Sequence, residues 1–135
     1  MQLDKGCGGV IVRGNEVLLM LRNASTFHEY WANPGGRLEE GETAEEGTVR
    51  EIKEELGVDV RIVREISVYD HYVEGALFGK YAGFLVSVVS GEPRIVEPEK
   101  CAALEWFSVS ALPKKITPYT LQYIKDLFPE AECVE

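Results

Sequence analysis

The stretch GRLEEGETAEEGTVREIKEELGV, running from Gly36 to Val58, decides how the chain is read. Its second half carries helix signals. Thr43 and Glu46 have the S/T-x-x-E spacing of a capping box, in which each side chain accepts a backbone N–H of the first turn. Gly57 supplies a left-handed stop, so the spacing predicts a helix over Thr43 to Leu56. Gly47 weakens that helix by roughly 1 kcal/mol against alanine, a loss that a close helix–sheet contact would offset.

On a helix turning about 100° per residue, Val49, Ile52 and Leu56 fall in one narrow arc, the expected core face. Glu51, Glu54 and Glu55 fall on the far side and, at i, i+3 and i+4, share a patch. Like charges at that spacing repel. Arg50 can reach Glu46 and Glu54, but one arginine does not balance the set. The segment Glu39 to Glu55 contains eight glutamates. Such a run is either a solvated face or a cation site, since Mg²⁺ prefers carboxylate oxygens. Just upstream, Pro34-Gly35-Gly36 stops any regular element and lets a bare backbone carbonyl approach the helix.

Working outward, Cys7 to Val12 and Glu16 to Arg22 are apolar, β-branched runs around Gly14-Asn15, which predicts a β-hairpin. Asn23 to Tyr30 reads as a loop. Val58 to Tyr72 and Lys80 to Val89 read as long strands, and Leu104 to Val109 as a shorter one. Thr117-Pro118 opens a second helix, with Thr117 as its cap. Leu121, Ile124 and Leu127 are spaced for its buried face. The order of elements predicts an α+β domain with a mixed sheet and helices packed on it.

A length of 135 residues, 45% of them apolar, suits one domain over 1–135. The net charge is −9, from 14 basic and 23 acidic residues. No basic patch of the kind that neutralises phosphate backbones is visible, so no nucleic-acid partner is expected. Cys7, Cys101 and Cys133 are an odd, unpatterned set, against a disulfide framework or a thiolate zinc site. There is no signal-peptide pattern, and the apolar runs are too short to span a bilayer. The expected setting is cytoplasmic, with no membrane partner.

Gly36, Glu42 and the run Arg50-Glu51-Ile52-Lys53-Glu54-Glu55-Leu56-Gly57-Val58 resemble the Nudix box, G-x5-E-x7-R-E-U-x-E-E-x-G-U, where U is bulky and apolar. Every fixed position matches. The flanking strands and C-terminal helix also suit that family. The resemblance implies an α/β/α sandwich with a mixed central sheet, a catalytic loop–helix–loop and a C-terminal helix. It implies a Mg²⁺-dependent (or Mn²⁺-dependent) hydrolase of nucleoside diphosphate-linked substrates. Glu51, Glu54, Glu55 and the Gly35 carbonyl would bind metal. Glu97, in the Val96-Glu97-Pro98-Glu99-Lys100 segment, would be a further ligand. Arg50 would hold the carboxylates, Glu42 would support the loop, and Glu54 or Glu51 would be the general base.

Substrate choice lies outside the box. The proline that marks ADP-ribose enzymes downstream is absent: no proline occurs from Arg61 to Glu92. The NADH-type array is also absent. Trp31-Ala32-Asn33-Pro34-Gly35-Gly36 and Glu97-Pro98-Glu99-Lys100-Cys101 are similar to MutT-like nucleoside triphosphate pyrophosphohydrolases, which release a monophosphate and pyrophosphate. Candidate base contacts are Phe27, His28, Tyr30, Trp31 and Tyr72, with Asn33 as a polar contact. Arg22 and Arg37 are candidate phosphate contacts. Dinucleoside polyphosphate, ADP-ribose or nucleotide-sugar hydrolysis, and a sensor that binds without cutting, are the alternatives. Similar enzymes are often dimers, which leaves a homodimer open.

Overall fold

The structure is a computed structural model and describes residues 2–134. Strands β1 (Asp4–Arg13) and β2 (Glu16–Arg22) form the expected hairpin, closed at Gly14, whose φ of +61° suits glycine. The polar loop that follows leads to β3 (Trp31–Ala32) and β4 (Gly35–Arg37). Helix α1 (Ala44–Leu56) is succeeded by β5 (Asp59–Val73), β6 (Ala76–Ser90), β7 (Cys101–Ser108) and α2 (Pro118–Leu127).

The expected break falls at Pro34 alone, and Gly35 and Gly36 instead open a short strand. β4 pairs antiparallel with β1, setting Gly35 opposite Gly8 and Gly36 opposite Cys7. The glycines allow it: a Cβ on Gly35 would collide with the Cys7 carbonyl and Gly8. Of the two long strands, β5 has the expected length shifted by one residue, whereas β6 starts four residues earlier than expected, at Ala76. They form one hairpin with a two-residue turn at Glu74-Gly75, both at positive φ.

The sheet is mixed, in the order β3-β2-β1-β6-β5, with β7 on β2 and β4 on β1. β1 runs parallel to β6 over Asp4–Ile11, a long-range pairing with no local signature. Alternation along the strands feeds two cores. Ile11, Leu18, Phe84 and Val86 face Ile52 and Leu56 of α1. Val10, Val17 and Leu19 face Tyr123 and Ile124 of α2. This is the α/β/α sandwich the sequence implied. No helix among the described residues is long and apolar enough to cross a membrane.

Two helix details depart from expectation. In α2 Ile124 is buried as expected, but its buried companions are Thr120 and Tyr123, while Leu121 and Leu127 pack at the edge. Thr117 is the N-cap residue, but its hydroxyl donates to Thr120 at 2.7 Å rather than accepting a helix N–H.

Candidate active site

Helix α1 begins as expected. The Thr43 hydroxyl accepts the Glu46 N–H at 3.1 Å, and the Glu46 carboxyl accepts the Thr43 N–H at 2.9 Å. That bond occupies Glu46, so Arg50 turns elsewhere. Its Nε and Nη2 grip both oxygens of Glu42 at 2.7 and 2.9 Å, and Nη2 also donates to the Arg37 carbonyl at 3.1 Å. This fork fixes the loop between β4 and α1 to the helix. The guanidinium, aided by the Glu39 N–H, holds the Glu42 carboxyl down to about 2. Gly47 provides the close approach its position suggested: a Cβ there would meet Leu38 and the Cys7 thiol on β1.

The three helix glutamates separate. Glu54 is exposed, and its two oxygens lie 3.3 Å from Arg50 Nη1. Glu51 is half-buried and lies over Gly36, where a Cβ would overlap its carboxylate. Glu55 points at β4, and its Oε1 accepts the Gly35 N–H at 2.8 Å. Burial pushes the Glu55 carboxyl up to about 8; the Gly35 N–H opposes this, while Glu51 and Glu97 reinforce it. Burial also raises Glu51, with Arg50 opposing.

Glu51, Glu55 and Glu97 line one cavity of about 680 Å³, within the range of about 300–1,000 Å³ typical of small-molecule sites. Arg22, Arg37 and Lys100 are its cations, and Phe27, Phe78, Tyr81, Tyr119 and Tyr123 its aromatic lining. The Arg22 guanidinium is steadied by the Thr26 carbonyl and hydroxyl at 3.0 Å each. Lys100 Nζ stands 3.5 Å from Glu97.

Of the expected site residues, Gly35, Glu51, Glu55, Glu97, Arg22, Phe27, Asn33 and Arg37 line the cavity. Asn33 is buried and internally bonded. Its Oδ1 accepts the Thr120 hydroxyl at 2.6 Å and its Nδ2 donates to the Pro34 carbonyl at 3.0 Å. Trp31, His28, Tyr30, Tyr72, Arg50 and Glu54 do not line that cavity. The Trp31 ring packs edge-on against Phe107 at 4.7 Å. His28 is exposed beside Glu29, in a separate shallow pocket. Tyr72 is 59% exposed. Asp4, Phe78, Tyr81, Lys100 and Tyr119 join the cavity without having been singled out. Their only sequence signal is residue type, because two strands, a loop and a helix must meet before they line one cavity.

Among the described residues, no three His, Cys, Asp or Glu side chains converge closely enough to hold a metal ion as they stand. The donor chemistry nevertheless fits a hard divalent cation: Glu51, Glu55 and Glu97 offer only oxygen atoms and repel one another.

The NUDIX domain family model matches residues 4–127. The chain is 37% identical over 109 residues to a Methanocaldococcus jannaschii protein named ADP-ribose pyrophosphatase, covering 78% of this chain and 62% of that one. It therefore spans less than two thirds of that relative's length. It is 30% identical over 125 residues to a Bacillus subtilis protein named "Putative 8-oxo-dGTP diphosphatase", covering 93% of this chain and 79% of that one. Among solved structures, a MutT NUDIX hydrolase from Burkholderia pseudomallei superimposes with a TM-score of 0.82 at 33% identity, covering 94% of this chain and 99% of that one.

Proposed function

The chain belongs to the Nudix family of hydrolases, and from that premise we propose that it cleaves a phosphoanhydride bond in a nucleoside diphosphate-linked substrate. The favoured reaction converts a (deoxy)nucleoside triphosphate to its monophosphate and pyrophosphate. The observation that carries this reading is the single cavity with Glu51 and Glu55 in one wall and Phe27, Tyr81 and Tyr119 in another. A phosphate chain and a base need such neighbours at once. Support for a MutT-like substrate comes from two relatives, 30% and 33% identical, that match over nearly all of this chain, the Bacillus and Burkholderia proteins.

Glu51, Glu54, Glu55 and Glu97, with the Gly35 carbonyl, would hold Mg²⁺ or Mn²⁺. Such an ion, when bound, neutralises charge on the phosphate oxygens and makes water easier to deprotonate. The chain's own groups do the rest. Glu51 faces the cavity from a half-buried position and accepts the proton of the attacking water; Glu54, exposed and drawn to Arg50, is the weaker choice. Arg22 and Lys100 meet the phosphate charge, and Arg50 keeps the Glu42 loop closed on the helix.

One observation favours a second reading: the 37% identical archaeal relative is named for ADP-ribose. The test is a panel of canonical and oxidised (d)NTPs, ADP-ribose, NAD, Ap4A and nucleotide sugars with Mg²⁺, with products resolved by chromatography. Monophosphate plus pyrophosphate from a triphosphate is the expected result. AMP and ribose phosphate as the dominant products would replace it with the second reading. Tight binding with no turnover would make the protein a sensor.

A further inference from the structure

At the far end of the same cavity, β1 begins with Asp4, whose side chain is largely buried. Its Oδ2 accepts the Tyr81 hydroxyl at 3.0 Å. The position of that hydroxyl is enforced by two glycines. A Cβ on Gly6 would lie 2.9 Å from the Tyr81 ring, and one on Gly79 would lie 2.8 Å from its hydroxyl oxygen. The neighbouring strand at Gly6 and Tyr81's own strand at Gly79 are thus bare where the ring lies. His71 stacks on it at 5.7 Å and Tyr119 meets it edge-on at 5.8 Å. Arg37, itself mostly exposed, approaches Asp4 Oδ1 at 3.3 Å.

Asp4, Gly6 and Gly8 lie on one face of β1, since side chains alternate along a strand. Gly8 pairs with Gly35, the residue bonded to Glu55. Asp4 is four residues further along, roughly 13 Å at about 3.3 Å per residue. That separation suits a base held at one end and a phosphate chain at the other.

We propose that Asp4, oriented by Tyr81, reads the base of the substrate and selects guanine. This rests on the nucleotide reading above. An ionised carboxylate offers about four lone-pair sites and no donor. Tyr81 and Arg37 engage one on each oxygen, which leaves two side by side. Guanine alone among the common bases presents two adjacent donors on its pairing edge, N1–H and the 2-amino group. Adenine and cytosine place an acceptor beside their amino group, which the carboxylate repels. Thymine flanks a single N–H with two carbonyls. Oxidation of guanine at C8 leaves both donors in place, so Asp4 accepts that base equally.

The test compares kcat/KM for dGTP, dITP and dATP in the wild type, Asp4→Asn and Tyr81→Phe. The wild type prefers dGTP over dITP, which lacks the 2-amino group, by about tenfold, and over dATP by about 100-fold. Asp4→Asn loses about 10- to 100-fold on dGTP, mostly through KM, and gains about 3- to 10-fold on dATP, because the amide removes the repulsion and offers adenine both a donor and an acceptor. Tyr81→Phe keeps the ring and loses a smaller part of the dGTP preference, so the proposal survives a failure of Asp4→Asn to fold. Equal use of dGTP and dATP by the wild type, or an equal loss on every nucleotide in Asp4→Asn, overturns it. Thermal melts with dGMP and dAMP separate the two readings. Stabilisation by dGMP alone, with no triphosphate cut, keeps the base assignment and ends the hydrolase reading. Hydrolysis without base preference does the reverse.

Discussion

The backbone N–H of Gly35 donates a 2.8 Å hydrogen bond to Oε1 of Glu55, tying β4 to the last turn of α1. The bond places a glutamate in a buried position beside Glu51 and Glu97, where its charge is poorly tolerated. An acid so placed contributes to folding only when something positive reaches it or when it keeps its proton.

A pH signature follows for the metal-free protein. Glu55 is held up at about 8 against an ordinary value of 4.5. Between those values the folded state binds more protons than the unfolded state, so stability falls as pH rises. A divalent cation takes the ionised form and expels that proton. Calorimetric titration with Mg²⁺ at pH 7, in buffers of different ionisation enthalpy, is therefore expected to show release of up to about one proton, vanishing above pH 9. Proton-neutral binding at pH 7 would contradict the placement of Glu55.

Glu55→Gln separates stability from function. The amide keeps an acceptor for the Gly35 N–H and removes the buried charge. At pH 8.5 the metal-free variant is expected to melt above the wild type. Its hydrolysis should fall by about 10²- to 10⁴-fold, the scale of losing one group from a charge-stabilising site. A lower melting temperature together with retained turnover would refute both halves.

Gly36→Ala probes the neighbouring carboxylate. The added Cβ would occupy the space of the Glu51 carboxyl, and the side chain must swing away. Because about 1 Å of misplacement can cost about 10²-fold, kcat is expected to fall on that scale while circular dichroism stays native. Unchanged kcat would show that Glu51 does no work from this position.

Tyr123 is buried at 1% exposure, and its hydroxyl donates to the Tyr81 carbonyl at 2.6 Å. Tyr123→Phe leaves that carbonyl short of a partner and should cost about 1–2 kcal/mol in denaturant unfolding. Since the bond ties α2 to the floor of the cavity, KM is expected to rise as well. A variant as stable as the wild type would argue that water replaces the hydroxyl.

The helix was legible because its determinants are local: Thr43, Glu46 and Gly57 lie within the element they cap. The β1–β2 hairpin was legible for the same reason. The parallel pairing of Asp4–Ile11 with Gly79–Val86 was not, since the partners are some seventy residues apart and alternation does not specify which strand lies alongside. Gly35-Gly36 looked like a stop because propensity is read without knowledge of β1 beside it. The wheel set Glu51, Glu54 and Glu55 on one patch by angle, but side-chain directions depend on Arg50 and on the Gly35 N–H, which draw Glu54 and Glu55 apart. Aromatic type suggested Phe27, His28, Tyr30, Trp31 and Tyr72 as base contacts, and of these Phe27 lines the cavity. Packing against Phe107 and exposure on the β5–β6 hairpin place Trp31 and Tyr72 outside it, where Tyr81 and Tyr119 stand instead.

Arg50→Lys tests the brace behind the site. Lysine keeps the charge but cannot make the two-pronged grip on Glu42, nor reach the Arg37 carbonyl at the same time. Loosening of the β4–α1 loop is expected to lower kcat/KM by about 10- to 100-fold, the usual effect of losing a contact that orients a ligating group. The variant should also respond differently to acid. In the wild type Glu42 is held at about 2 against an ordinary 4.5. Its contribution to stability is complete above pH 4.5 and lost as pH falls toward 2. With the fork removed, that share of the acid sensitivity disappears, so the gap in melting temperature between wild type and variant should narrow from pH 6 to pH 3. A gap that stays constant with pH would mean that Arg50 stabilises the fold through packing rather than through the Glu42 carboxylate.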